Sequence, residues 1–435
     1  MVRFMFRFIA GLSLILASLQ VSAALDIQTW QTTKGAKVMF VHSPGLPMLD
    51  IEVVFDAGSA RDGDKWGLAS MTTAMVGTQT PELNEQQISQ QTNALGARIS
   101  GNVGRDMASF SLRTLTRESI LQPALKLFTE SLTQSVFNPQ IFERERQRAL
   151  VGLQQQQVSP SQLAQNAFWK GVYDQHPYGH PVSGSVETVK ALKLADLKAF
   201  YQRYFVSANA TVSIVGDLSR TQAQEIAEQL LADLPKGSAA PALPKPKGLS
   251  EAKQQIIDFE ASQTHFRMGQ LGVERGHPDY YALFLGNHLL GGSGFGSLLM
   301  EEVREKRGLV YGVGSGLAPL KVAGPWVSYL STKNESAKEA EKVVKDTLVA
   351  FMDSIDDQHF QAIKDNLIGG FPLRIDSNAK IIGYISMIGF YGLPLDYLEQ
   401  FPKIIESLSK QDVLKAWNRH FHPEKMVTVM VGKPG

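Results

Sequence analysis

The sequence predicts an α+β protein of two homologous domains, each a mostly antiparallel sheet with helices packed on one face. Three observations lead there. The chain has 435 residues, and a single hydrophobic core stops growing near ~250–300 residues. Alternating apolar runs come in pairs separated by long helical stretches, the pattern of an α+β layer. One helix-then-strand unit also occurs twice, as DLKAFYQRYFVSANATVSIVGD at 196–217 and DVLKAWNRHFHPEKMVTVMVGK at 412–433.

The two copies align in one register without a gap. Asp196 pairs with Asp412, Tyr201 with Trp417, Arg203 with Arg419, Phe205 with Phe421 and Gly216 with Gly432. Each reads as an amphipathic helix ending in aromatics, a short turn and an alternating β-run. A single long period means two related halves, whereas a solenoid repeats every ~20–50 residues. Lys236 to Lys253 carries Pro241, Pro244 and Pro246 and reads as an extended linker. The halves are therefore placed at 24–235 and 254–435.

Within the first half, Val38–Val41 and Ile51–Phe55 are strand-like, as are Ile99–Val103 and Ala108–Leu112. Helical periodicity covers Leu68–Met75, Glu85–Leu95, Ile120–Gln134, Gln140–Gln157 and Leu163–Val172. At the start of the chain, Arg3 and Arg7 precede a short apolar run, Ile9–Leu19, and then Val21-Ser22-Ala23. This reads as a cleaved export leader at 1–23. The run is shorter than the ~20 apolar residues of a spanning helix. The expected location is the periplasm, with no membrane span after cleavage.

Several functions are excluded by composition. There is no cysteine, so disulfides, thiolate zinc sites and a cysteine nucleophile do not arise. The formal net charge is +1, and with no broad basic footprint nucleic acid is not an expected partner. The glycine-rich Gly291–Gly296 lacks the Gly-Lys-Ser/Thr ending of a phosphate loop. No G-x-S-x-G elbow occurs. His176 and His180 have ligand-like spacing, but Pro177 and Gly179 between them argue for a turn. His420 and His422 fit a packing role at a helix end.

Gly58-Ser59-Ala60-Arg61-Asp62 followed by Trp66-Gly67-Leu68-Ala69 resembles the insulinase/pitrilysin-type zinc metallopeptidases. That family includes mitochondrial processing peptidase and the core proteins of the respiratory bc1 complex. His176-Pro177-Tyr178-Gly179-His180-Pro181 and Leu298–Tyr311 fit it too, so the resemblance spans nearly the whole chain after the leader. It implies two similar domains enclosing a chamber.

Active members carry His-x-x-Glu-His directly after Gly-Leu-Ala. Two His one helical turn apart hold zinc, and the Glu serves as general base for a zinc-bound water. Here those positions are Ser70, Thr73 and Ala74. A further Glu ligand is expected where this chain has Gly152, although Glu145 is kept. Ser and Thr are poor zinc ligands and Ala and Gly offer none. No metal and no catalytic residue are therefore expected in this chain.

The resemblance also implies what remains. In the family an Arg and a Tyr, at Arg307 and Tyr311 here, contact the substrate backbone. A glycine-rich loop, here Gly292, Ser293, Gly294 and Phe295, borders the chamber. Some bacterial members divide the work between a zinc-bearing chain and a chain with the Arg/Tyr pair. This sequence matches the second kind. The expectation is a substrate-binding subunit whose zinc resides in a homologous partner carrying the motif, with a peptide as substrate. The alternatives are an assembly scaffold, as the bc1 core proteins are, or a chain active alone through other residues.

Overall fold

The computed structural model describes residues 25–435. The expected leader at 1–23 lies outside them. In the first half, strands β1 (Gln28–Gln31), β2 (Lys37–His42), β3 (Met48–Phe55), β4 (Arg98–Val103), β5 (Ala108–Leu115) and β6 (Ala210–Gly216) form one sheet. Its order is β1-β2-β6-β3-β5-β4. In the second half, β7 (Lys253–Asp258), β8 (Gln263–Leu271), β9 (Val310–Leu317), β10 (Pro325–Lys333) and β11 (Val427–Gly432) follow the order β7-β11-β8-β10-β9. Apart from β1, the two topologies are the same. Each sheet is antiparallel but for one pair, β2 with β6 and β7 with β11. Neither sheet closes on itself, and each has two edge strands, β1 and β4 in the first and β7 and β9 in the second.

The helices of the first half are α1 (Leu68–Met75), α2 (Glu85–Ala94), α3 (Glu118–Thr133), α4 (Pro139–Gln157), α5 (Pro160–Tyr173), α6 (Val186–Ala191), α7 (Leu194–Tyr204) and α8 (Arg220–Leu230). Those of the second are α9 (Tyr280–Asn287), α10 (Ala337–Asp353), α11 (Asp357–Gly369), α12 (Asn378–Tyr391), α13 (Tyr397–Ser407) and α14 (Lys410–His420).

The sequence repeat maps onto α7–β6 and α14–β11. Asp196 and Asp412 occupy the third position of their helices and accept from the N–H of Lys193 (2.8 Å) and Ser409 (2.9 Å). This satisfies a donor that a helix start leaves free. Phe205 and Phe421 are buried at the helix ends. A Cβ at Gly216 would lie 2.7 Å from the Met48 carbonyl oxygen, so a close backbone approach accounts for that glycine.

Each half's own helices cover one face of its sheet, as expected. The opposite face is covered by a helix from the other half. Helix α5 packs on β8 and β11, and α12 packs on β2, β3 and β6. Strand alternation shows why both faces need cover. Val38 and Phe40 point into the first half's core, while Met39, Val41 and Val215 join the second half's core. On β11, Val427, Val429 and Val431 meet α5, and Met430 points the other way.

The exchanged helices resemble each other. Both end in Gly-x-Tyr, Gly171-Val172-Tyr173 and Gly389-Phe390-Tyr391. A Cβ at Gly171 would lie 2.8 Å from Val427 Cγ1, and one at Gly389 would lie 2.7 Å from Met39 Cγ and from Thr211 Cγ2. The Tyr173 hydroxyl donates to the Ala323 carbonyl at 2.8 Å, and the Tyr391 hydroxyl donates to Asp106 Oδ2 at 2.9 Å. Asp106 also accepts from the Tyr178 hydroxyl and from the Lys321 N–H at 2.9 Å. Burial pushes its carboxyl above the usual range, against those donors. Asp56 binds Arg61 through two bonds of 2.8 Å and also Lys321 Nζ. The β4–β5 loop and the β9–β10 loop thus meet at a buried polar node tied by the ends of both exchanged helices.

Two tests follow from this packing. Gly171→Ala and Gly389→Ala should each cost about 1–3 kcal/mol through overpacking. In contrast, Gly152→Ala, with nothing within 4 Å of its Cβ, should stabilise by about 0.5–1 kcal/mol through helix propensity. Urea unfolding midpoints read both signs. Asp106→Ala strands three donors and should lower stability by roughly 3 kcal/mol or more, measured in the same way.

Candidate functional site

The residues of the Gly58–Ala69 signature build the start of α1. A Cβ at Gly58 would collide with the Arg105 carbonyl. Asp62 is buried and accepts from the N–H groups of Gly67 and Ala69, both at 2.7 Å. Burial pushes its carboxyl up to about 8, against the pull of the N–H groups of Ala69, Gly67 and Leu68. Gly67 has φ 91°, a left-handed conformation that suits glycine. Trp66 stacks on His180 with ring centroids 5.3 Å apart. His176 Nδ1 accepts from the Tyr178 N–H at 3.1 Å, in a turn at Pro177–Gly179. The histidines of that stretch are structural.

Helix α1 is thus fixed at its start by Asp62 and Gly67, and it offers no His or Glu at the expected zinc positions. Ser70 is half-buried, Thr73 is buried and Ala74 is exposed. Thr73 Oγ1 is buried with no hydrogen-bond partner, and its methyl lies 3.6 Å from where a Gly101 Cβ would be on edge strand β4. Helix α4 packs against α1 and presents Gly152, with open space around its Cβ direction. Glu145 is held by Arg144 (2.7 Å) and Arg148 (2.8 Å). A hydroxyl pair, a methyl and a bare backbone do not fit zinc, which takes imidazole, thiolate or carboxylate.

The second half is built differently. Two π-helical turns, His288–Gly292 and Met300–Glu305, flank the glycine-rich stretch. The predicted helix at Leu298–Lys306 is therefore largely π-wound, a form frequent at functional sites. A Cβ at Gly292 would lie 2.6 Å from Asn287 Nδ2, and Gly294 has φ 67°. Ser293 Oγ is buried without a partner. Phe295 is exposed, and Arg304 stacks on its ring with the guanidinium carbon 4.7 Å from the centroid.

Arg307 and Tyr311 do not share a pocket. Arg307 donates to the Glu302 carbonyl (2.7 Å) and carboxylate (2.6 Å) and lines a hollow of 350 Å³ against α10. Tyr311, on β9, is 89% exposed and borders another hollow of 250 Å³, with His265, Arg267, Tyr329 and Ser331. Arg304 has no carboxylate partner among the described residues. Sequence reading missed it because it lies one helical turn from Arg307 within a dense charge run. Arg267 was also missed. Its signal was the polar half of an alternating strand, Thr264-His265-Phe266-Arg267-Met268.

A cluster that sequence reading did not predict lies at the end of α14. His277, Asp279 and His420 offer ligand atoms within 4.8 Å of one another, the one such group among the described residues. His420 Nε2 and Arg419 both reach Asp279 Oδ2 at 2.7 Å. The guanidinium places a positive charge where a cation would need the carboxylate.

Comparison with known proteins agrees with this geometry. The sequence model of Insulinase (Peptidase family M16) matches residues 37–186, and that of the Peptidase M16 inactive domain matches 191–367. A crystal structure described as a peptidase M16 inactive domain, from Pseudomonas fluorescens, is 39% identical. It superposes with a TM-score of 0.91, covering 94% of this chain and 98% of that one. An uncharacterized zinc protease of Bacillus subtilis, YmxG, is 22% identical over 82% of this chain and 86% of its own. A Helicobacter pylori protein described as a non-peptidase homolog is 24% identical, over 88% of this chain and 89% of its own. The chain belongs to the M16 peptidase family and lacks that family's zinc-binding motif.

If only the donors are missing, restoring them should restore metal. The combined variant Ser70→His, Thr73→Glu, Ala74→His and Gly152→Glu should acquire about one zinc per chain. The native chain, and Gly152→Glu alone, should purify without stoichiometric zinc at this site. Elemental analysis after dialysis decides.

Proposed function

We propose that this chain is the non-catalytic, substrate-binding subunit of a two-chain zinc endopeptidase, with zinc supplied by a homologous partner. One contrast carries the reading. The zinc position keeps its scaffold and has lost its donors, while the second half keeps an exposed Tyr311 on an open edge strand beside a π-flanked glycine loop. No helix among the described residues is long and apolar enough to cross a membrane. That suits an exported subunit working in the periplasm.

An open edge strand lets an extended peptide add by main-chain hydrogen bonds, which is tolerant of sequence. The Tyr311 phenol could then donate to an oxyanion forming in the partner's reaction. A guanidinium nearby would hold the peptide backbone or a carboxylate. Arg304, stacked on Phe295 without an acidic partner, suits that role at least as well as Arg307, which Glu302 already engages. The Helicobacter pylori relative's description as a non-peptidase homolog favours a chain that does not cleave by itself, and leaves a scaffold role as the competing reading.

Co-purification with a motif-bearing homologue, followed by a peptide-cleavage assay, tests the proposal. Tyr311→Phe in this chain should lower kcat of the pair by about 10²-fold. Arg304→Ala or Arg307→Ala should lower kcat/KM, and the larger loss identifies the binding arginine. A stable pair whose cleavage is indifferent to all three variants would establish the scaffold instead.

A further inference from the structure

The hollow beside Tyr311 is built around a cation without a counter-ion. Arg267 projects from β8 on the face covered by α5, with Tyr329 opposite it on β10 and Val429 on β11. Its one side-chain hydrogen bond is a long one, 3.5 Å to Gln165 Oε1. It makes no ion pair among the described residues, and no Asp or Glu lines the hollow. Burial pushes the guanidinium below its usual pKa. A half-buried charge left unpaired is costly, so an anion entering here would relieve that cost.

The walls point the same way. Ser161, in the first turn of α5, lines the hollow. Ser159 provides no side-chain cap for that helix, and Pro160 has no N–H to satisfy. The positive end of a 14-residue helix therefore borders the same space as Arg267. Gln263, Tyr311, Tyr329 and His265, the last bonded through Nδ1 to Ser331 Oγ at 2.9 Å, also line it. On β9, Gly312 and Gly316 have nothing within 4 Å of their Cβ directions. No packing demand accounts for these glycines, and glycine within a strand often marks close approach by another backbone. The volume, 250 Å³, lies below the roughly 300–1,000 Å³ of sites for drug-sized ligands. It suits one side chain or one chain end.

We infer that this hollow is a carboxylate-binding subsite for peptides, with Arg267 as the residue that recognises the anion. The carboxylate is either the peptide's C-terminal end or an acidic side chain. This rests on the reading that the chain handles peptides, and it adds a preference for where an acidic group falls along the bound segment. Arg267 forks two N–H donors onto the two oxygens, a geometry that lysine cannot reproduce.

The test is direct binding to the full native chain, with no partner and no cleavage, so it is separate from the assay of the two-chain complex. Acetylated tetra-alanine as the free acid, its C-terminal amide, and an amidated peptide with one internal Glu are titrated by calorimetry. The free acid or the Glu peptide should bind about tenfold or more tighter than the neutral amide. Whichever does so names the source of the carboxylate. Arg267→Met should erase the difference, and Arg267→Lys should keep part of it. If the Met variant melts well below the native chain, the Lys variant alone decides, by weakening the acidic peptide and not the neutral one. All three peptides binding alike overturns the subsite while leaving peptide binding intact. Binding by none at millimolar concentration overturns both readings.

Discussion

The two halves depend on a reciprocal exchange of helices. Helix α5 leaves the first half to cover the second sheet, and α12 returns to cover the first. Without it, β2, β6 and β11 would each show an apolar face to water, since successive residues along them are buried on opposite sides. The glycines at Gly171 and Gly389 set how closely the helices approach. Their terminal tyrosines then pin the β4–β5 and β9–β10 loops together around Asp106. Edge strands β4 and β9 inherit their placement from that junction, as they are arms of those two hairpins.

Scaffold and chemistry have separated in the first half. Asp62, Gly67 and Trp66 still set the start of α1, yet the helix carries Ser70, Thr73 and Ala74, and α4 packed against it carries Gly152. In the second half, the scaffold is irregular and open. Two π-helical turns flank a left-handed Gly294, and Tyr311 is highly exposed. The first half thus has a helix without metal donors, and the second a glycine-rich loop beside projecting side chains.

Much of this was legible in the sequence because it is local. The helix at Leu68–Met75 has the bounds its periodicity suggests, and the repeat at Asp196 and Asp412 reports a real capping interaction. The missing donors were legible through the family resemblance, which set the expected ligands at Ser70, Thr73, Ala74 and Gly152. The helix exchange was not legible, since an amphipathic stripe states that a face is buried and not which sheet buries it. Its trace was the Gly-x-Tyr ending common to α5 and α12. The arginines were misweighted for a similar reason. Arg304, Arg307 and Arg267 differ in partners, and an ion pair such as Arg307–Glu302 depends on how a turn is wound.

The exchange also bears on ancestry. A chain of half this length would fold with one sheet face bare, and the simplest cover is the matching helix of an identical neighbour. Two such copies related by a two-fold axis would close each other, as isologous dimers do. Fusing them end to end needs only a connector, and the proline-bearing stretch before β7 has that place in the chain.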